Sequence, residues 1–112
     1  MEAKMNEIKE ALKREDMRDY VRMGWHVKQR LYERGYYASD ITSCIKSKDS
    51  RIIEQGQGFN RKIGAICPSY TIEGVDGDGN PFAIVLSEEG YKQFSVITIM
   101  PPMDRRRFLR CV

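Results

Sequence analysis

The 112-residue chain holds one histidine, one tryptophan, four prolines and three cysteines, and nowhere does it reach the ~20 consecutive apolar residues that span a bilayer. Each shortage excludes something. Cys44, Cys67 and Cys111 are odd in number and widely spaced, a pattern that fits neither a disulfide framework nor a zinc site with paired ligands, so buried or free thiols are expected. The start of the chain, Met1 to Glu7, offers neither an apolar signal segment nor a small-residue cleavage site. No membrane partner is expected, and the expected location is cytoplasmic. Excess charge of one sign is also lacking, since 19 Lys and Arg stand against 16 Asp and Glu.

What remains is 41% hydrophobic and 31% charged, which suits one domain folding in water around a single core. The net charge of +3 is unevenly placed. Residues 1 to 35 carry 9 basic and 7 acidic groups, residues 36 to 102 carry 6 and 8, and residues 103 to 112 carry 4 and 1. Cations therefore gather at the two ends, where they are either solvated tails or a surface that attracts phosphate.

Met5, Ile8 and Leu12 recur at helical spacing among Lys, Glu and Ala, predicting an amphipathic N-terminal arm over residues 1–20 with one sticky face suited to a homodimer contact. Met23, Val27 and Leu31 predict a second helix to Arg34, closed by Gly35. Ser39 caps a short third helix, Asp40 to Lys46, with Ile41 and Ile45 inward. Beyond Ser50 the period becomes that of strands: Arg51 to Glu54, a stretch from Lys62 to Val75 interrupted at Pro68, then Phe82 to Leu86 and Phe94 to Met100. Gly56 to Asn60 reads as a flexible loop and Asp76 to Asn80 as the clearest turn. Pro68 belongs at an edge, a bulge or a break. The expected fold is α+β, with N-terminal helices on one face of a roughly four-stranded antiparallel sheet over residues 21–102, followed by a basic tail over 103–112.

His26, Arg30 and Arg34 fall at steps of four, so they form one stripe along the second helix, beside its apolar stripe. Cations at such a border need an anion, either carboxylates of the chain or an external phosphate. One histidine able to exchange protons near neutral pH, next to two guanidinium groups that grip phosphate, is the set that metal-independent RNA cleavage by its own 2′-hydroxyl requires. No cofactor is called for. Tyr36 and Tyr37 are candidates for the acid that protonates the leaving 5′-oxygen or for stacking an unpaired base, or are core plugs after a helix end. Arg105, Arg106 and Arg107 are candidates to clamp nucleic acid, or keep the terminus soluble. Asp76, Asp78 and Asn80 have the opening spacing of a calcium loop, but Pro81 and Ser87 stand where its glycine and its bidentate glutamate belong, leaving a turn.

His26, Arg30, Arg34 and Gly35, the capped helix Ser39 to Lys46, Ile52 to Glu54, the Gly77–Asp78–Gly79 turn, Pro81 to Val85, and Val96–Ile97–Thr98 running to Pro101 together resemble the family known as domain of unknown function 4258. The resemblance covers residues 23 to 102 and departs from the family pattern at Met100, where an aromatic is usual. It implies a fold similar to RelE-like toxins, an RNA substrate, an antitoxin-like protein partner, and His26, Arg30 and Thr98 as site residues. A non-catalytic protein-interaction or dimerisation module of the same fold is the alternative expectation.

Overall fold

A computed structural model describes residues 2–13 and 17–100, apart from the side chain of Met100. The order is α1 (Glu2–Lys13), β1 (Tyr20–Met23), α2 (Trp25–Glu33), α3 (Ala38–Lys46), β2 (Arg51–Asn60), β3 (Ala65–Val75), β4 (Pro81–Gly90) and β5 (Gln93–Met100). The strands form one sheet in the order β1-β5-β4-β3-β2. The three helices cover one face of it. The α+β class is as expected, but the sheet has five strands and is mixed.

The added strand is β1, which pairs parallel with β5 from Tyr20↔Gln93 to Met23↔Val96. Met23 therefore opens no helix. It is a strand residue packed against the core, and α2 starts only after Gly24, whose extended backbone forms its N-cap. Four residues give too short a period to separate a strand from the first turn of a helix.

The N-terminal segment is not a separate arm. Met5, Ile8 and Ala11 of α1 are buried and Leu12 packs against the same cluster, which also holds Val27 and Leu31 of α2, Ile41 and Ile45 of α3, and Tyr70, Ile72, Phe82, Ile84, Leu86, Phe94, Val96 and Ile99 of the sheet. Fully burying a side chain of this size contributes roughly 1.5–3 kcal/mol, so the apolar face of α1 is consumed within the chain and is not free for a second copy. Lys4 fastens α1 to β4 through Glu88 at 2.6 Å, with Glu7 at 3.1 Å, and the boundary expected at residue 20 cuts through β1.

Helix α3 starts at Ala38, two residues earlier than expected, with Tyr37 in place of Ser39 as its N-cap. Asp40, buried, accepts hydrogen bonds from the Tyr37 N–H and from the Gly77 N–H, both at 2.8 Å, so one carboxylate caps the helix and ties it to the β3–β4 turn. That turn forms as expected. The Asp76 carboxylate accepts from the N–H groups of Asp78 and Asn80 at 2.9 Å, and Gly79 takes φ +83°, which glycine adopts without strain. Gly74 allows α3 to lie directly on β3, since a Cβ there would collide with the Cys44 carbonyl.

The expected loop Gly56 to Asn60 is strand. It continues β2 and pairs with β3 as far as Asn60↔Ala65, because the cross-strand ladder satisfies a backbone that glycine weakens only modestly. β3 pairs with β4 only from Ser69 onward. Pro68, paired with Gln57 on one side, faces no β4 residue on the other and so sits at a local edge, as proline requires. Beyond that point the β2–β3 hairpin leaves the sheet.

Candidate functional site

Helix α2 closes with Gly35 at φ +75°. The Tyr36 N–H donates to the Leu31 carbonyl at 2.8 Å and the Gly35 N–H to the Tyr32 carbonyl at 3.2 Å, a Schellman closure. It turns the chain back so that Tyr36 packs its ring on Phe82, centroids 5.0 Å apart. Burial, followed by the charges of Asp76 and Asp40, raises the Tyr36 phenol above its usual range. Tyr36 is thus mainly a core plug with one side left open. Tyr37 stands 75% exposed.

Gly35 and its neighbours line a pocket of about 380 Å³ with Lys28, Leu31, Tyr32, Tyr36, Tyr37 and Ala38. Three phenol rings contribute to its lining, and among the described residues Lys28 is the one charged group there.

The stripe predicted on α2 is present but lies on the helix's other flank. His26, Arg30 and Arg34 are all exposed. Residues two apart are separated by about 160° round a helix, so His26 and Lys28 flank the buried Val27–Leu31 face from opposite sides. Among the described residues, no carboxylate pairs with Arg30 or Arg34. The helix's only acid, Glu33, accepts instead from Gln29. His26 meets the ring of Trp25 edge-on at 5.3 Å, and Trp25 is 69% exposed.

Thr98 does not join this group. Ile99 faces the core opposite Ile84, whereas Thr98 pairs with Val85, so strand alternation turns its hydroxyl to the face the helices leave uncovered. Its hydroxyl makes a long hydrogen bond to the Ile99 carbonyl, at 3.4 Å. Arg105, Arg106 and Arg107 lie outside the described residues.

A polar centre that the sequence did not reveal occupies that uncovered face. Glu89, with 1% of its side chain exposed, accepts from Arg22 Nη2 at 2.8 Å and Nε at 3.3 Å, Tyr20 Oη at 2.8 Å, Asn60 Nδ2 at 2.9 Å and Ser95 Oγ at 2.8 Å. Burial disfavours its charge, but the donors of Arg22, Asn60, Ser95 and Tyr20 prevail and hold the carboxyl at about 2. Asn60 also donates to Ser87 at 2.9 Å, and Lys62 lies 5.8 Å over the Tyr20 ring. The far end of the β2–β3 hairpin is therefore curled back and anchored over the sheet. The centre is fully satisfied, which marks it as structural.

No family model, characterised protein or solved structure matches the chain. No helix among the described residues is long and apolar enough to cross a membrane.

Proposed function

We propose that this chain binds single-stranded RNA across the surface of α2. The observation that carries the reading is the set of exposed groups on that one helix and its closing loop: His26, Lys28, Arg30 and Arg34 without carboxylate partners among the described residues, interleaved with Trp25, Tyr32 and Tyr37. Cations that track a phosphate backbone, set between rings on which bases stack, are the two ingredients of single-strand recognition. The resemblance to domain of unknown function 4258 and to RelE-like ribonucleases points the same way and adds metal-independent cleavage with His26 as base. Geometry favours binding over cleavage, because Thr98 faces away from α2 and, among the described residues, no hydrogen bond poises His26 against a second group.

Filter binding of a single-stranded RNA dodecamer between 50 and 200 mM salt tests this. Affinity should fall steeply with salt, and the double variant Arg30→Ala/Arg34→Ala should flatten the log–log slope by about 1.4, because each phosphate left without its cation takes roughly 0.7 from it. An unchanged slope, or no binding at low salt, rules the reading out. The same mixture in EDTA reads cleavage, which His26→Ala should abolish if it occurs.

One observation favours a second reading, a protein-interaction module. Phe59, Ile63 and Ile66 are exposed at the end of the β2–β3 hairpin, which is anchored over the sheet face that the helices leave uncovered. Binding of a protein partner there, unaffected by substitutions on α2, would support it.

A further inference from the structure

The pocket lies on the flank of α2 opposite His26 and Arg30, and Lys28, Tyr32 and Tyr37, which line it, belong to the RNA-binding surface proposed above. We infer that the pocket receives the base of one unstacked nucleotide, with Lys28 holding the adjoining phosphate. The inference rests on the RNA-binding reading and adds to it the place where a base is taken in.

Four observations carry it. The volume, about 380 Å³, lies at the small end of ligand pockets, which run from roughly 300 to 1,000 Å³. The walls contributed by Tyr32 and Tyr37 are 86% and 75% exposed, so two flat rings stand in water with faces free to stack. The floor is tied to the core, because Tyr36 packs on Phe82 and its N–H donates to the Leu31 carbonyl. Among the described residues Lys28 is the one charged group in the lining, and no carboxylate there pairs with it.

A planar ring with a phosphate attached matches these walls and this cation. An aliphatic side chain of a protein partner would use the apolar floor but leave the two exposed faces and Lys28 unanswered. Continuity with the stripe supports a nucleotide within a strand. Arg34 stands next to Gly35 at the pocket's rim, and it is close enough to Tyr36 for its charge to act on that phenol. A strand tracking His26, Arg30 and Arg34 reaches the pocket at the helix's end.

The test has two arms on the full chain. In the first, the RNA dodecamer is bound by wild type, Tyr32→Ala/Tyr37→Ala and Tyr32→Phe/Tyr37→Phe. Both positions are exposed, so the fold should survive either change. Loss of stacking should weaken binding roughly ten- to a hundredfold at unchanged salt slope, and the phenylalanine pair should restore it, since the ring and not the hydroxyl does the stacking. In the second arm, AMP and ribose 5-phosphate are titrated while amide resonances of Lys28, Gly35 and Ala38 are followed. AMP should shift all three, and ribose 5-phosphate should shift Lys28 alone. Dodecamer binding indifferent to the alanine pair overturns the pocket and removes Tyr32 and Tyr37 from the binding surface, while the salt slope set by Arg30 and Arg34 decides the α2 reading by itself. AMP shifts without any dodecamer binding would overturn the strand reading and keep a nucleotide pocket, and the absence of AMP shifts overturns the pocket outright.

Discussion

Replacing Glu89 by glutamine removes one charge and almost no volume, and it strikes the one buried centre that joins β1, β4, β5 and the β2–β3 hairpin. The carboxylate is held at about 2 against an ordinary 4.5, and at 1.36 kcal/mol per pH unit this difference corresponds to about 3 kcal/mol of stability at neutral pH. A glutamine keeps one acceptor oxygen but turns an NH2 group toward Arg22, Asn60 and Ser95, which are all donors, so Glu89→Gln should cost at least that much. The folded-state value lies below the unfolded one. The contribution is therefore complete above pH 4.5 and lost as pH falls toward 2, where wild type and variant converge. Urea unfolding followed by circular dichroism, at pH 7 and at steps from pH 5 to 2.5, measures both quantities. A deficit under about 1 kcal/mol at pH 7, or one that stays constant through the acid range, would refute the account of Glu89 as an ionised anchor.

Two further outcomes follow from the packing. Ile8, fully buried on α1, should cost about 2–5 kcal/mol when cut to alanine, read from the urea midpoint; if instead Ile8→Ala leaves stability intact and splits a dimer in sedimentation, α1 is an interface after all. Cys44 is fully buried with its thiol 3.4 Å from the Phe82 carbonyl, and burial, aided by the charges of Glu73 and Asp76, pushes it up to about 12. Iodoacetamide at pH 8 should leave Cys44 unlabelled in the folded protein and label it in urea, as peptide masses will report; equal rates in both would contradict the sealed α3–sheet contact.

Local chemistry was legible from residues alone wherever neighbours in sequence settle the matter. The Asp76 to Asn80 turn rests on one carboxylate and one glycine within five positions, Val27 and Leu31 bury as their spacing requires, and His26 and Arg30 share one flank of α2 because helical period puts them there. The signal for Lys28 and Tyr32 was also present, as the opposite flank of the same helix, but nothing local showed that the chain after Gly35 folds Tyr36 back to make that flank concave.

Pairing and closure are another matter, because they depend on residues far apart. Whether Tyr20 to Met23 is strand is decided by the free edge of β5 some seventy residues on, and whether Gly56 to Asn60 is ordered is decided by β3. Glu88 and Glu89 are adjacent and chemically alike, yet alternation sends one to Lys4 and Tyr70 on the helix face and the other to Arg22 and Asn60 on the opposite face. The sequence by itself determined the helices, the turn and the cationic stripe, since each is a matter of dihedral preference and period over a few residues. Only the tertiary structure decided the fifth strand, the burial of α1, the Glu89 anchor and the side of α2 that holds a pocket, because burial and strand pairing are sums over contacts that no short stretch of chain contains.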